Sequence, residues 1–489
     1  MKSSLLTAAV LTVAEMSQAD KAATTMGIPG LRLMEAAGFA IAKAVCRRHK
    51  QPVAILCGPG NNGGDGFVAA RWLARAGWVV HLSLLGRRES LRGDAAAAAA
   101  LWRGAVAPLS INSLCGCTLV IDALFGAGLA RPLEGAARAV VKTINHRKLP
   151  VVAVDIPSGL HGDTGKALGD CALQADVTVT FFRPKPAHLL LPGRSLCGTL
   201  VVADIGIPNA VLDSIGPQIF INGPHLWPLP RSTPSDHKYQ RGHVIAVGGA
   251  VMTGAVRLAT RAARRVGVGL LTIAAPQAAL SLYAMDAPGV IVVPCDRADN
   301  LATLLADARR NAVLIGPGAG RSAETRAAVT TVLDSTRPCV LDADALTSFS
   351  DNPAALFAGL HASCVLTPHD GEYTALFGEQ ACSRLERARI AARLTGAVVL
   401  LKGSDTVIAA PNGLAVINTN APPMLATAGA GDVLAGLIVG LLAQGMDPFA
   451  AACAAAWLHG AAAARVGLGL IAEDLPEALP TVLAALAAG

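Results

Sequence analysis

Thr427-Ala428-Gly429-Ala430-Gly431-Asp432 leads straight into the apolar run 433–442. A turn of small residues that opens a helix leaves backbone N–H groups free. It also points the positive end of the helix dipole outward, so the pair makes a seat for an anion. Asp432 stands in that mouth, where a carboxylate can act as a base on a hydroxyl that meets a phosphoryl group. An aspartate that merely caps its own helix is the plain alternative. Four other segments end as such a site requires. Residues 312–318, 340–346, 364–372 and 398–406 read as buried strands that run out into glycine or polar side chains. Open α/β sheets bind ligands at those carboxyl ends.

The first half holds a second constellation. The apolar run Val53-Ala54-Ile55-Leu56-Cys57 precedes the glycine-rich Gly58-Pro59-Gly60-Asn61-Asn62-Gly63-Gly64-Asp65-Gly66, read as a loop, and a helical pattern follows from 67 to 76. Strand, loop and helix in this order fit a phosphate-binding turn. The next strand, 79–85, ends in Gly86-Arg87-Arg88 rather than an acidic residue. That disfavours NAD and leaves an NADP-binding half open. Two later strands end in Asp122-Ala123-Leu124-Phe125-Gly126 and Asp155-Ile156-Pro157-Ser158. Oxygen ligands with one or two carboxylates suit a hard, weakly held cation; three ordinary capped turns are the alternative. Lys185, in Arg183-Pro184-Lys185-Pro186, reads as a loop lysine rather than a second group at this site.

Gly429 to Asp432 resembles the Gly-Ala-Gly-Asp motif of ribokinase-like enzymes. The two halves in this order resemble the bifunctional NAD(P)H-hydrate repair enzymes over nearly the whole chain. The N-terminal half carries Gly58 to Gly66, Asp122 to Leu129 and Asp155-Ile156-Pro157-Ser158-Gly159. The C-terminal half carries Gly248-Gly249, Thr367-Pro368-His369, Lys402-Gly403 and Gly429 to Asp432.

The resemblance implies two α/β domains. One is a Rossmann-like three-layer α/β/α epimerase domain over 1–221. The other is a ribokinase-like α/β/α dehydratase domain over 235–489, after a boundary at 222–234 that contains four prolines. It implies that R- and S-hydrates are interconverted and that the S-form is dehydrated to NAD(P)H at the expense of ADP or ATP, with Mg²⁺. In the dehydratase, Asp432 would be the base. Ala255, Gly318, His369 and Asp432 would face the hydrate, and Lys402, Gly403, Ser404, Asp405, Thr406 and Gly431 the nucleotide. Glu372 either orients Mg²⁺-bound water or only starts a helix. In the epimerase, Asp155 would be the acid/base. Asn61, Asn62, Gly63, Gly64, Asp65, Gly126, Ala127, Gly128, Leu129, Ala130, Arg131 and Pro132 would bind the hydrate. Asn62, Asp122 and Ser158 would hold K⁺. A kinase for a small vitamin-type alcohol with an NADP-binding accessory half is the competing reading, and a non-catalytic binding module is a third.

Composition sets bounds. A chain of 489 residues supports two or three domains with full cores. Hydrophobic residues make up 53% and aromatics 4%, which suits close-packed α/β layers. The net charge of +7 arises from 41 basic against 34 acidic residues spread along the chain. Without a basic run interleaved with aromatics, nucleic acid is not an expected partner. The 11 cysteines lie at irregular spacings, many in apolar runs, as suits free thiols in a reducing, cytoplasmic setting. Residues 5–13 lack a convincing cleavage site, so no secretory leader is expected. The run 433–443 is too short to span a bilayer. A homo-oligomer is expected.

Overall fold

Val53–Cys57, Leu119–Ala123 and Val151–Val154 are buried along their whole length, the pattern of strands covered on both faces. The computed structural model describes residues 6–231 and 233–488, which divide into two compact units, 9–218 and the remainder. The sheet of the first unit is parallel. Its strands run in the order Ala107–Pro108, Val80–Leu84, Val53–Cys57, Leu119–Ala123, Val151–Val154, Val177–Phe181, Thr199–Ala203. Successive side chains alternate between the faces. Ala54 and Leu56 join the core under helix Gly135–Arg147, whereas Ile55 and Cys57 meet helix Asn61–Arg75 at Gly66. Strand order reverses between Val53–Cys57 and Leu119–Ala123, the switch point where such sheets open a crevice.

The segment read as a glycine-rich loop is a helix from Asn61 onward. Its glycines serve packing. A Cβ on Gly63 would stand 1.9 Å from the Gly58 carbonyl oxygen, so only glycine lets the first turn close onto the strand end.

The sheet of the second unit runs Ile219–Ile221, Ala415–Ile417, Val407–Ala409, Val398–Leu401, Cys364–Leu366, Cys339–Leu341, Ala312–Ile315, His243–Val247, Leu270–Ala275, Ile291–Pro294. Val398–Leu401, Val407–Ala409 and Ala415–Ile417 pair antiparallel with one another in sequence. Helix Ala430–Ala443 packs against Thr253–Arg265 and Pro448–Val466. The latter is as long and apolar as a membrane span, and 61% of its apolar window is buried inside the protein, as for a core helix.

The domain boundary differs from the expected one. The first unit ends at 218 rather than 221, because Ile219–Ile221 pairs in parallel with Ala415–Ile417. The proline-rich 222–234 is not a free linker. The Asn222 amide is buried and bonds to Asn418 Oδ1 and the Cys453 carbonyl, each at 2.8 Å, and the buried Trp227 meets Trp457 edge-on. Prolines disfavour helix and ladder there, but the burial of Asn222 and Trp227 fixes residues 222–227 to the second unit.

Candidate functional site

The carboxyl ends of Val53–Cys57, Leu119–Ala123 and Val151–Val154 open into a cavity of about 1160 Å³. Asn61, Asn62, Asp65, Asp155 and each residue from Gly126 to Arg131 line it. Gly63 and Gly64 pack inward instead, and Pro132 lies outside the lining against Gly169.

Asp155 follows its strand with φ +62°, a left-handed value that strains a residue bearing a Cβ. The backbone is held there by Asp155 N donating to the Val179 carbonyl at 2.8 Å and by the His188 imidazole on the Asp155 carbonyl, also at 2.8 Å. His188 Nδ1 accepts the Lys185 amide proton, so Nε2 carries the ring proton and donates. The Asp155 carboxylate accepts from Lys185 Nζ at 2.7 Å, Thr180 Oγ1 at 3.0 Å and Ala127 N at 2.9 Å. Burial would raise its pKa, but the Lys185 ammonium and these bonds outweigh burial and hold it at about 2. His188 falls to about 4, through burial and then Lys185.

Lys185 lies in a loop, but not an exposed one. It is almost wholly buried and ion-paired with Asp155. Asp20, from helix Val13–Thr25, is a further group in the cavity. Burial raises it to about 6, with Lys185 opposing and Asp155 adding. Asp65 is raised well above the carboxylate range by burial, then by Asp155 and Asp20. The site thus combines one fixed carboxylate, one buried ammonium and two carboxyls that gain protons readily.

Beside it, Asp122 and Ser158 are fully buried. Asp122 Oδ1 accepts from the Ser158 hydroxyl at 2.7 Å and Oδ2 from Ser158 N at 2.8 Å. Burial pushes Asp122 up to about 6 against these bonds. Both amide atoms of Asn62 are buried without a hydrogen-bond partner, although buried polar atoms normally have one. A Cβ on Gly126 would stand 3.1 Å from Asn62 Oδ1 and 2.9 Å from Asp155 Oδ2, which places these two oxygens around one backbone position.

In the second unit Gly429, with φ +86°, turns the chain into helix Ala430–Ala443, a value glycine adopts without strain. Asp432 is in the first turn of that helix. Burial raises it to about 6, Asp342 adds to the rise, and Lys402 opposes it. Lys402 Nζ lies 2.7 Å from Asp342 Oδ1 and 3.7 Å from Glu372 Oε2. Its charge is shared between Asp342, just after strand Cys339–Leu341, and Glu372 of helix Asp370–Phe377, which hold it raised against burial. Glu372 is itself raised, by burial first.

His369 caps helix Asp370–Phe377, its Nδ1 accepting from Gly371 N and Glu372 N at 3.0 and 3.2 Å, while much of the ring stays exposed. Glu372 lies within that helix, which starts at Asp370, and its carboxylate closes back on His369 N at 2.8 Å. The Asp405 carboxylate is buried against Arg384 Nε at 2.8 Å. Thr406 Oγ1 donates to the Gly403 carbonyl at 2.8 Å and accepts from Gly403 N, so the 403–406 turn closes on itself. Gly318, with φ +66°, touches Met252, and Ala255 lies in helix Thr253–Arg265. Asp342 was not singled out as a site residue; its signal was a carboxylate at the end of a buried strand, shared with Asp344.

Comparison with known proteins finds matches to both halves of the chain. Residues 243–481 match the family described as NAD(P)H-hydrate dehydratase, and residues 30–187 match the one described as YjeF-related protein N-terminus. The bifunctional NAD(P)H-hydrate repair enzyme Nnr of Moorella thermoacetica is 39% identical, covering 97% of this chain and 96% of its own. That of Salinibacter ruber is 37% identical with the same coverage. Among solved structures, the ADP/ATP-dependent NAD(P)H-hydrate dehydratase of Bacillus subtilis, co-crystallised with ATP/Mg²⁺, is 30% identical. It covers 53% of this chain and 94% of its own, with a TM-score of 0.45. Full-length relatives of this kind set the small-alcohol kinase reading aside. The chain belongs to the family of bifunctional NAD(P)H-hydrate repair enzymes, in which an epimerase is joined to a dehydratase.

Proposed function

We propose that Asp432 is the base of the dehydratase and that the Asp155–Lys185 pair performs the epimerisation. NAD(P)H hydrate bears a hydroxyl at C6, beside N1. Hydroxide leaves poorly. Transfer of a phosphoryl group from ADP or ATP to that oxygen converts it to phosphate, with Asp432 taking the hydroxyl proton and the 429–431 amides facing the developing charge. Phosphate then departs, a ring proton is lost, and NAD(P)H is restored. The observation that carries this reading is the environment of Asp432. A carboxylate raised to about 6 at a helix mouth is ionised at neutral pH yet basic enough to accept a proton. Lys402, held between Asp342 and Glu372, supplies the positive charge next to it. Mg²⁺ would add charge stabilisation on the nucleotide phosphates. Ala255, Gly318 and His369 would meet the hydrate, and the 402–406 turn with Gly431 the nucleotide.

The test uses purified S-hydrate with ADP or ATP and Mg²⁺, followed by NADH absorbance. Turnover should fall as pH drops through about 6, because the base must be ionised. Asp342→Asn removes a negative neighbour that raises Asp432, so this limb should move to lower pH. No NADH from either nucleotide would defeat the assignment, and a limb unmoved in the variant would detach it from Asp432.

At the other site Asp155 accepts and Lys185 donates a proton at the C6 hydroxyl. The N1 lone pair lets water leave and return on the opposite face. Asn61, Asn62, Asp65 and the 126–131 turn bind the hydrate. The Asn62 amide oxygen, Asp122 and Ser158 suit K⁺. One formal charge and neutral oxygens favour a large monovalent ion over Mg²⁺, which keeps its waters. The unpartnered Asn62 amide supports this fit. Asp122→Ala should raise the hydrate concentration the epimerase needs and blunt its response to added K⁺. An unchanged K⁺ response in folded variant would remove the ion from Asp122. We further propose a cytoplasmic homo-oligomer, on the strength of the many free cysteines for the compartment alone.

A further inference from the structure

Cys339 and Cys364 open two neighbouring strands of the second unit and are direct partners across the parallel ladder. Their side chains leave the sheet on the same face, with Sγ atoms 3.5 Å apart. Both are fully buried. The turn at 361–363 folds back over them. Cys364 N donates to the His361 carbonyl at 2.9 Å and Cys339 N to the Ser363 carbonyl at 3.2 Å. His361 is thereby drawn to the thiols, and one donor atom from each of the three side chains lies within 4.8 Å of the others. His361 Nε2 is buried with no hydrogen-bond partner, while Nδ1 accepts only a long bond, 3.3 Å, from Ser363 N. A buried ring nitrogen without a partner is costly. Nothing in the epimerase or dehydratase chemistry uses these groups.

We propose that Cys339, His361 and Cys364 bind one soft divalent cation of the Zn²⁺ kind. Two sulfurs and an imidazole are the donors such an ion selects, whereas hard cations seek oxygen. Two sulfurs on one tetrahedral zinc, each about 2.3 Å from it, stand about 3.8 Å apart. The observed 3.5 Å needs only a few tenths of an ångström of opening. Both thiols lose a proton on binding, so two protons are released and the two thiolates balance the charge of the ion. Ligation through Nε2 puts the ring proton on Nδ1 and exchanges the long Ser363 bond for the metal bond. A water molecule would complete the four-coordinate shell. Asp342 follows directly on Cys339–Leu341. The ion would therefore sit at the amino-terminal end of these strands, about 10 Å from Asp342 at the other end, tying two central strands and a turn together.

The experiment treats the full chain with chelator and reductant, then adds Co²⁺ as a spectroscopic probe and Zn²⁺ as competitor. One equivalent of Co²⁺ should give a thiolate-to-cobalt absorption in the near ultraviolet, displaced by Zn²⁺. Cys364→Ser should abolish it and His361→Ala should weaken uptake about tenfold or more. Joint Cys115→Ser and Cys117→Ser, at the other closely spaced pair in the sequence, should leave it intact. X-ray absorption on the zinc-loaded wild-type chain needs no variant to fold; it should show two sulfurs at about 2.3 Å and a lighter donor at about 2.0 Å. Turnover of S-hydrate should be the same with and without the ion. Absence of the band, its survival in both ligand variants, its loss with Cys115 and Cys117, a shell without two sulfurs, or a Cys339–Cys364 disulfide in place of uptake would each overturn the proposal.

Discussion

Asp432→Asn should lower dehydration of S-hydrate by about 10²-fold or more, the usual weight of a positioned acid/base group, while nucleotide still binds. The amide keeps the shape of the helix mouth, and the backbone N–H groups that face the phosphates are untouched. Burial and Asp342 raise the carboxyl to about 6, so the wild-type group is mostly ionised at pH 7 and the variant has no base at any pH. The acid limb of the pH profile should vanish together with the rate. Single-turnover measurement with S-hydrate, alongside nucleotide titration, separates the two effects. Near-wild-type turnover would reduce Asp432 to a helix cap.

Asp155→Asn should abolish R-to-S exchange, again by about 10²-fold or more, and leave S-hydrate dehydration intact. The two carboxylates lie in separate compact units, each with its own sheet. The variant also leaves Lys185 buried without its ion-pair partner at 2.7 Å. Removing one member of a buried pair costs about 3–5 kcal/mol, so folding of the variant must be verified independently of activity, by circular dichroism and thermal melting. Lys185→Met provides the complementary test. With the ammonium gone, burial becomes the dominant influence and the pKa of Asp155 climbs from about 2. Epimerisation should fall sharply for want of the Lys185 proton, and the acid limb of the residual rate should appear at higher pH. Loss of both activities in folded Asp155→Asn protein would show that the two reactions share one site.

Much of the second site was legible in the sequence because it is local. Six consecutive residues, Thr427 to Asp432, create the turn, the helix start and the proposed base together. Lys402 and Asp342 were visible as polar ends of buried strands, but their 2.7 Å contact joins positions 60 residues apart and depends on how parallel strands are ordered. The first site shows the same division. Asp122, Asp155 and Ser158 could be named from their strand ends, and the cation reading rested on residue type. The partner of Asp155 could not. Arg183-Pro184-Lys185-Pro186 has the composition of an exposed loop, and only the placement of Val177–Phe181 beside Val151–Val154 carries its lysine inward.

Asn61 to Gly66 looked like a loop because glycine disfavours helix in isolation. Packing against the Gly58 carbonyl and strand Val53–Cys57 outweighs that propensity. The proline-rich 222–234 read as a boundary for a similar reason, since composition records backbone preference but not what Trp227 and Asn222 will bury against. The sequence by itself determined the strand and helix periodicities, the anion-binding helix mouth and the chemical type of each strand end, all set by short-range sterics and hydrogen bonding. Tertiary structure alone decided the Asp155–Lys185 and Lys402–Asp342 pairs, the boundary at 218 and the meeting of Cys339, His361 and Cys364. Those depend on sheet register, which burial of distant apolar segments fixes and no local pattern encodes.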